Sequence, residues 1–241
     1  MKRYGLIGYP LTHSFSAGYF KKKFTAEGID AVYTNYPLPN INAFPDLLAR
    51  EELAGLNVTI PYKEAVLPHL DGLSPEAEQI GAVNTIVFAD DGLIGHNTDA
   101  PAIAQVLTEN EVTPAHKALV FGTGGASKAV CYALKQLGIS YQMVSRQEAD
   151  QALTYATLDA ATAGEHQVWI NTTPVGQYPN DAAKLPLPYE SITQRHICID
   201  LIYNPSETAF LAQAKQNGAR VLNGLSMLHY QAEKAWKLWR A

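Results

Sequence analysis

Short apolar runs alternate with amphipathic stretches along most of the chain. Short apolar runs bounded by turn residues are typical of strands, whereas apolar positions three and four apart over longer stretches are typical of helices. The pattern predicts strands at 4–8, 31–36, 53–59, 82–89, 93–95, 117–121, 140–144, 168–171 and 197–200. It predicts helices at 16–27, 41–50, 97–110, 126–137, 208–217 and 226–239. Strands that alternate with helices indicate an α/β fold with parallel pairing and right-handed crossovers.

The chain is predicted to form two α/β domains that flank a cleft. Its 241 residues exceed what one hydrophobic core usually serves. We expect one domain at 1–99 and a second at 100–224, with 225–241 packing back on the first. Within the first domain, Asp90, Asp91 and Gly92 separate two apolar runs and predict a β-hairpin.

Composition and charge limit the classes of partner. Hydrophobic residues make up 47% and charged residues 17%, as in ordinary globular proteins. The net charge of −5 gives no electrostatic reason to bind nucleic acid or an anionic membrane, and no apolar run reaches the length of a bilayer span. The N-terminus lacks the features of a signal peptide, and Cys131 and Cys198 have no CxxC spacing, so we expect reduced thiols and a cytoplasmic protein. No metal-ligand spacing is found, and no metal is expected.

A glycine-rich turn follows the predicted strand at 117–121. Its residues are Gly122, Thr123, Gly124, Gly125 and Ala126. The first glycine permits a tight turn, the second lets the backbone approach a pyrophosphate, and the next helix offers its N-terminal N–H groups. Because the turn lies at a strand-to-helix junction, it predicts a dinucleotide site in a Rossmann-like, doubly wound domain, with a purely structural turn as the alternative.

The end of the following strand indicates which dinucleotide is bound. An acidic residue there would bind the ribose 2′-hydroxyl of NAD. The chain instead has Ser145 and Arg146, and a guanidinium matches the geometry of a phosphate. This favours NADP, with an ordinary exposed loop arginine as the alternative.

Four polar clusters lie at the ends of predicted strands in the first domain, where open α/β sheets bind ligands. They are HSFS (13–16), GLNVTIPYK (55–63), GAVNT (81–85) and GHNTD (95–99). Ser14 and Ser16 lie two residues apart and could hold one carboxylate, although either could simply cap a helix. Lys63 follows a proline turn; such a lysine is usually a surface residue, but in a cleft it would exchange a proton with a substrate hydroxyl.

These segments, in their order, resemble the shikimate dehydrogenase family, which includes quinate dehydrogenases. The resemblance extends through NTTPVG (171–176), DLIYNPSET (200–208) and NGLSMLHYQA (223–232), and so covers nearly the whole chain. It implies reversible NADPH-dependent reduction of 3-dehydroshikimate to shikimate, a step of chorismate and aromatic amino-acid biosynthesis. It also implies a substrate-binding catalytic domain at 1–99, an NADP-binding domain at 100–224, and a monomer or homodimer.

The resemblance also implies a role for each matching residue. Lys63 is the expected acid/base, with Asp99 as its partner. Carboxylate-binding positions are Ser14, Ser16 and Tyr203, and ring-hydroxyl positions are Thr59, Asn84 and Gln231. Cofactor positions are Gly122, Thr123, Gly124, Gly125 and Ala126 at the pyrophosphate, Ser145 and Arg146 at the 2′-phosphate, and Thr172, Leu201 and Gly224 near the nicotinamide.

Several positions depart from the family pattern. Ala17 and Ala102 stand where proline and glycine are usual, Gln177 where methionine is common, and Ser145-Arg146-Gln147 in place of NRT. These departures leave two alternatives open. One is a quinate or dual quinate/shikimate dehydrogenase, usually NAD-linked; the other is a non-catalytic sensor that binds the same ligands without turnover.

Overall fold

A computed structural model describes residues 1–11, 14–147 and 152–241. The chain divides into two compact units, the first formed by Met1–Asp99 with Gln231–Ala241 and the second by Ala100–Tyr230. The sequence predicted that the chain returns to the first unit at residue 225, whereas in the structure it returns at Gln231. The last helix begins in the second unit because Met227 is buried in that unit's core. Among the described residues, no helix has the length and apolar character needed to cross a membrane.

The first unit is built on a six-stranded sheet in the order β2-β1-β3-β5-β6-β4. The strands are β1 (Lys2–Gly8), β2 (Ala31–Pro37), β3 (Gly55–Val58), β4 (Gly72–Leu73), β5 (Thr85–Ala89) and β6 (Gly92–His96). β1 pairs in parallel with β2 and β3, whereas β5 runs antiparallel to β3 and β6. The predicted hairpin is confirmed, and it explains why this sheet is mixed rather than wholly parallel: a two-residue turn joins only antiparallel strands.

The helices of the first unit include two that the sequence pattern did not predict. They are α1 (Phe15–Glu27), α2 (Phe44–Arg50), α3 (Tyr62–Ala65) and α4 (Pro75–Ile80). α3 and α4 are too short to show a helical period and begin at proline turns. The helix predicted at 41–50 is divided into a 3-10 turn and α2, which has Pro45 in its first turn.

An aromatic cluster forms the second core of the first unit and fixes the end of the chain. Tyr4 and Trp239 stack with ring centroids 4.9 Å apart, and Phe20 lies 5.4 Å from Trp239. The Trp239 indole donates a hydrogen bond of 3.0 Å to the carbonyl of Ile86. A Cβ at Gly55 would lie 2.4 Å from the same indole, so the strand and the ring approach as closely as glycine allows.

The second unit contains a wholly parallel six-stranded sheet in the order β12-β11-β10-β7-β8-β9. The strands are β7 (Lys117–Phe121), β8 (Ser140–Ser145), β9 (Ala152–Thr154), β10 (Val168–Asn171), β11 (Ile197–Asp200) and β12 (Arg220–Leu222). The helices are α5 (Asp99–Glu109, which begins at the last residue of the first unit), α6 (Gly125–Gln136), α7 (Ala160–Gly164), α8 (Ala209–Gln216) and α9 (Leu225–Leu238), which continues into the first unit. The predicted doubly wound sheet is confirmed, and its strand order reverses between β7 and β10, the point where such sheets bind ligands.

The Trp239 contacts generate a stability prediction. Trp239→Ala is expected to lower the free energy of unfolding by about 3–5 kcal/mol, because it removes a large buried ring and leaves a cavity. Urea unfolding followed by far-UV circular dichroism measures the change. Lys237→Ala, at an exposed position in the last turn of α9, is the control and should stay within about 0.5 kcal/mol of the wild type. A Trp239→Ala variant as stable as this control would contradict the assignment.

Candidate active site

Lys63 and Asp99 meet within the first unit. Lys63 lies in α3, directly after the proline turn that ends the β3 segment, and Asp99 is the first residue of α5. Their Nζ and Oδ2 atoms are 2.5 Å apart, and the two side chains are 16% and 8% exposed. The pair is therefore a largely buried ion pair that retains some access for the ammonium group, not a surface salt bridge.

Backbone hydrogen bonds hold the segments that carry this pair. The Val83 N–H donates to the carbonyl of Lys63 at 2.7 Å, which ties α3 to the GAVNT segment. The side-chain amide of Asn97 donates to the carbonyl of Ala82 at 2.9 Å, and its oxygen accepts from the N–H of Asp99 at 3.1 Å. The predicted clusters at 55–63, 81–85 and 95–99 thus come together around one ion pair.

Asn84 is buried beside these segments. Its side-chain oxygen accepts the N–H of Thr98 at 2.7 Å, and its Nδ2 donates to the Thr98 hydroxyl at 3.0 Å. Asn57 lies within β3, whereas Thr59 lies just beyond it, because β3 ends at Val58. Asn57 is buried, and its Nδ2 donates to the carbonyl of Asn84 at 3.2 Å. Thr59 is half-buried, and its N–H donates to the carbonyl of Ile7 at 2.9 Å.

Ser14 and Ser16 occupy the N-terminus of α1. Ser14 is the N-cap, and its hydroxyl oxygen accepts a long hydrogen bond of 3.4 Å from the N–H of Ala17, so the capping alternative is confirmed for this residue. A hydroxyl that accepts at its oxygen still carries a hydrogen to donate, so capping and carboxylate binding are compatible. Ser16 is buried in the first turn. The histidine of the HSFS motif, His13, lies outside the described residues.

The remaining predicted substrate residues lie in different units. Gln231 belongs to the first unit and is buried in α9. Tyr203 belongs to the second unit and is half-buried in the segment that follows β11.

The glycine turn after β7 has the form that a phosphate site requires. Gly122 adopts a φ of +115°, and a Cβ there would lie 2.7 Å from the Thr172 hydroxyl oxygen, so only glycine fits. Thr123 and Gly124 are exposed, and Gly125 and Ala126 begin α6 half-buried. Gly124 precedes α6 without a side-chain cap, and a Cβ built on it meets nothing within 4 Å among the described residues.

Two hydroxyls fix the turn from inside the second unit. Ser127, buried in the first turn of α6, donates to the Gly122 carbonyl at 2.7 Å. Thr172 follows β10 and donates to the Phe121 carbonyl through both its N–H at 3.0 Å and its hydroxyl at 2.6 Å. Predicted cofactor residues at the ends of β7 and β10 therefore lie side by side at the reversal of strand order.

Ser145 is the last residue of β8, and Arg146 follows it. Ser145 is buried and its hydroxyl donates to the carbonyl of Gln147, whereas Arg146 is exposed. Burial raises the pKa of the Tyr155 phenol to about 12, and the charge of Arg146 acts in the opposite direction. The guanidinium thus lies near Tyr155, whose ring stacks on Phe121 with centroids 6.5 Å apart.

Leu201 and Gly224 also lie together. A Cβ at Gly224 would stand 2.1 Å from the Leu201 carbonyl oxygen, and the Gly224 N–H donates to Ile202 at 3.0 Å. The backbones after β11 and before α9 therefore approach so closely that any residue with a side chain at 224 would force them apart.

A buried carboxylate holds the loops after β10 and β11, and the sequence analysis did not single it out. Asp200 accepts from the Asn171 side chain at 3.1 Å, the Ile202 N–H at 3.0 Å and the Thr208 hydroxyl at 2.6 Å. Burial raises its pKa to about 6, and the three hydrogen bonds act in the opposite direction. The sequence offered one signal for this carboxylate, because Asp200 begins DLIYNPSET and Asn171 begins NTTPVG. A polar residue at the end of a strand can have many structural roles, so this signal alone did not identify it.

These two units together are typical of nucleotide-dependent dehydrogenases: one holds a buried lysine–carboxylate pair among polar side chains, and the other is a doubly wound sheet with a glycine turn. Residues 6–86 match the model of the shikimate dehydrogenase substrate binding domain. A shikimate dehydrogenase (NADP(+)) from Shouchella clausii is 38% identical over 257 residues, covering 99% of this chain and 92% of the relative. The chain belongs to the shikimate dehydrogenase family.

Solved structures agree with this membership. The structure of shikimate 5-dehydrogenase from Thermus thermophilus in complex with NADP(H) and shikimate has a TM-score of 0.88 and 34% identity, covering 99% of this chain and 93% of that one. Quinate dehydrogenase from Corynebacterium glutamicum in complex with NAD has a TM-score of 0.87 and 28% identity, covering 99% and 93%.

The raised pKa of Asp200 generates a prediction for stability against pH. The pKa of Asp200 is 3.8 in the unfolded chain and about 6 in the folded chain. Between these two pH values the folded state therefore holds a proton on Asp200 that the unfolded state has lost. Stability from this group is fully present below pH 3.8 and is lost as pH rises through about 6, a change of roughly 2–3 kcal/mol.

Urea unfolding of the wild type and of Asp200→Asn across this pH range tests the prediction. The stability of the wild type relative to Asp200→Asn should fall as pH rises, because the amide does not titrate. Asp181→Asn, an exposed position of the same unit, controls for the removal of one charge. A constant difference between wild type and Asp200→Asn would contradict the assignment.

Proposed function

We propose that this chain catalyses the reversible NADPH-dependent reduction of 3-dehydroshikimate to shikimate. The observation that carries the proposal is the buried ion pair of Lys63 and Asp99, with Nζ and Oδ2 2.5 Å apart. Reducing a ring ketone adds a hydride to carbon and a proton to oxygen, and the second half of that reaction needs a proton donor in a largely water-free site.

Lys63 supplies the proton in this proposal. An ammonium group carries three hydrogens, and one of them is directed to Asp99. Another hydrogen would then contact the ketone oxygen, stabilise the negative charge that develops there, and pass to the oxygen as the alcohol forms. Asp99 orients the ammonium and uses its remaining acceptor capacity for a ring hydroxyl.

The ring acid is held by hydroxyl and amide groups. Ser14 and Ser16, with Tyr203, are assigned to the carboxylate, and the N-terminus of α1 favours an anion at this position. Thr59, Asn84 and Gln231 are assigned to the ring hydroxyls. Asn84 suits this role because Thr98 takes only one of its two amide hydrogens.

The residues after β7, β8 and β10 fit NADP, which when bound supplies the hydride. The pyrophosphate is assigned to the turn from Gly122 to Ala126. The first N–H groups of α6 have no side-chain cap, and Gly124 before them is exposed, so these N–H groups are available to a phosphate. Ser145 and Arg146 are assigned to the 2′-phosphate, a role supported by the exposure of the guanidinium. Thr172, Leu201 and Gly224 are assigned to the nicotinamide end.

Quinate and a purely sensory role are the alternatives. The quinate dehydrogenase of Corynebacterium glutamicum is 28% identical to the chain, against 38% for the shikimate enzyme of Shouchella clausii. An assay of nicotinamide reduction with shikimate and quinate, each with NADP and NAD, separates the three possibilities. Preference for shikimate with NADP supports the proposal; preference for quinate, or binding without turnover, overturns it. A cytoplasmic location and a monomeric or homodimeric state stay predictions.

The role of Lys63 is tested by Lys63→Ala. Turnover is expected to fall roughly 10²–10⁴-fold, the usual contribution of a positioned acid or base, with little change in substrate affinity. Steady-state kinetics with shikimate and NADP measure both quantities. Lys22→Ala, at an exposed position in α1, is the matched control and should retain wild-type turnover. A normal kcat in Lys63→Ala would remove this lysine from the mechanism.

The role of Arg146 is tested by comparing the two cofactors. Arg146→Ala is expected to raise KM for NADP much more than KM for NAD, because only NADP carries the phosphate that the guanidinium pairs with. Arg195→Ala, also exposed in the second unit, controls for the loss of one positive charge. Equal losses with both cofactors would show that Arg146 does not distinguish them.

A further inference from the structure

Asn57, Asn84, Thr85 and Thr98 form a buried polar cluster in the first unit. All four are at most 3% exposed. Only Asn84 has been assigned to the substrate, and Asn84 and Thr98 lie directly beside the segments that carry Lys63 and Asp99. The other three side chains need a reason for being polar at such depth, because buried polar groups cost free energy unless they are paired.

The hydrogen-bond directions in this cluster are fixed at two points. A backbone N–H can only donate, so the 2.7 Å contact from Thr98 makes Oδ1 of Asn84 an acceptor. A backbone carbonyl can only accept, so the 3.2 Å contact with the carbonyl of Asn84 makes Nδ2 of Asn57 a donor. Oδ1 of Asn57 then receives the Tyr33 hydroxyl at 2.7 Å.

Thr85 connects these two fixed points. Its hydroxyl oxygen lies 3.2 Å from Nδ2 of Asn57, 3.2 Å from Oδ1 of Asn84 and 3.3 Å from the hydroxyl of Thr98. Asn57 donates to this oxygen, which leaves the Thr85 hydrogen for Asn84 or Thr98. The residue is 0% exposed, so it touches no ligand and acts only through its neighbours.

We propose that Thr85 is a positioning residue that holds the Asn84 amide with its oxygen inward and its second N–H directed at the substrate. The proposal rests on the function proposed above. The cluster makes Asn84 a hydrogen-bond donor and prevents the amide from rotating to offer its oxygen. The site is thereby specific for a ligand oxygen that accepts at this position.

Thr85→Val removes the hydroxyl while keeping the branched shape. We expect KM for shikimate to rise about 3- to 10-fold, the effect of one lost hydrogen bond. kcat and KM for NADP should stay within about twofold, because Thr85 acts on ring binding and not on proton transfer. Thr85→Ser restores the hydroxyl and should return KM towards the wild-type value.

A double-mutant cycle distinguishes positioning from general destabilisation. In an Asn84→Ala background, Thr85→Val should raise KM for shikimate no further, because the group through which it acts is absent. Leu47→Ala, buried in α2 of the same unit, is the control; it should lower the thermal midpoint without changing KM. Tyr33→Phe, which removes the donor to Asn57 but keeps the ring, is the second variant and should raise KM in the same direction.

The outcomes separate this inference from the proposed function. Wild-type protein that does not turn over shikimate overturns both. Active wild-type protein with normal KM in Thr85→Val and Tyr33→Phe overturns the positioning role alone. A KM increase that is additive with Asn84→Ala, or that Leu47→Ala reproduces, also overturns it, because Thr85 would then act through stability.

Discussion

The ion pair between Lys63 and Asp99 sets the requirements for the polar interior of the first unit. Removing two charges from water costs several kcal/mol, which their attraction repays only when the geometry is good and the surrounding polar groups are satisfied. Asn97 supports the Asp99 backbone, and Val83 ties down the Lys63 backbone. A well-packed apolar pair would often serve stability as well or better, so stability alone does not account for the pair, and the proton transfer proposed above gives it a role.

Both units place their polar groups at the carboxyl ends of neighbouring parallel strands. In the first unit, β1 leads towards Ser14 and β3 leads to Thr59 and Lys63. In the second, β7 leads to the glycine turn and β10 to Thr172. Parallel strands end at the same edge of a sheet, so residues that are separated in sequence by long crossover connections converge there.

The sequence pattern predicted the strands and helices that are long enough to be recognised from it. It missed the shortest strands and the contacts between residues that are distant in sequence. β7, β10 and β11 match the expected bounds, because buried runs between turns leave little freedom. β4, β9 and β12 have two or three residues each, too few for a period. The Lys63 and Asp99 pairing came from family resemblance. Thr85 was passed over because its importance lies in contacts with Asn57 and Thr98, which are distant from it in sequence.

The polarity of the site explains which ligands it can discriminate. In the proposed site, Lys63 presents an ammonium and Asn84 an amide hydrogen, which both pair with an acceptor oxygen, whereas the remaining acceptor capacity of Asp99 pairs with a hydroxyl hydrogen. A ring acid with a ketone beside a hydroxyl satisfies both demands. An analogue that lacks the hydroxyl would leave the remaining acceptor capacity of Asp99 unused, and a site built to bind a hydroxyl rejects a ligand without it far more strongly than it rejects a missing methylene. Under the proposed assignment, fixed donor and acceptor directions, rather than the shape of the site alone, set the specificity.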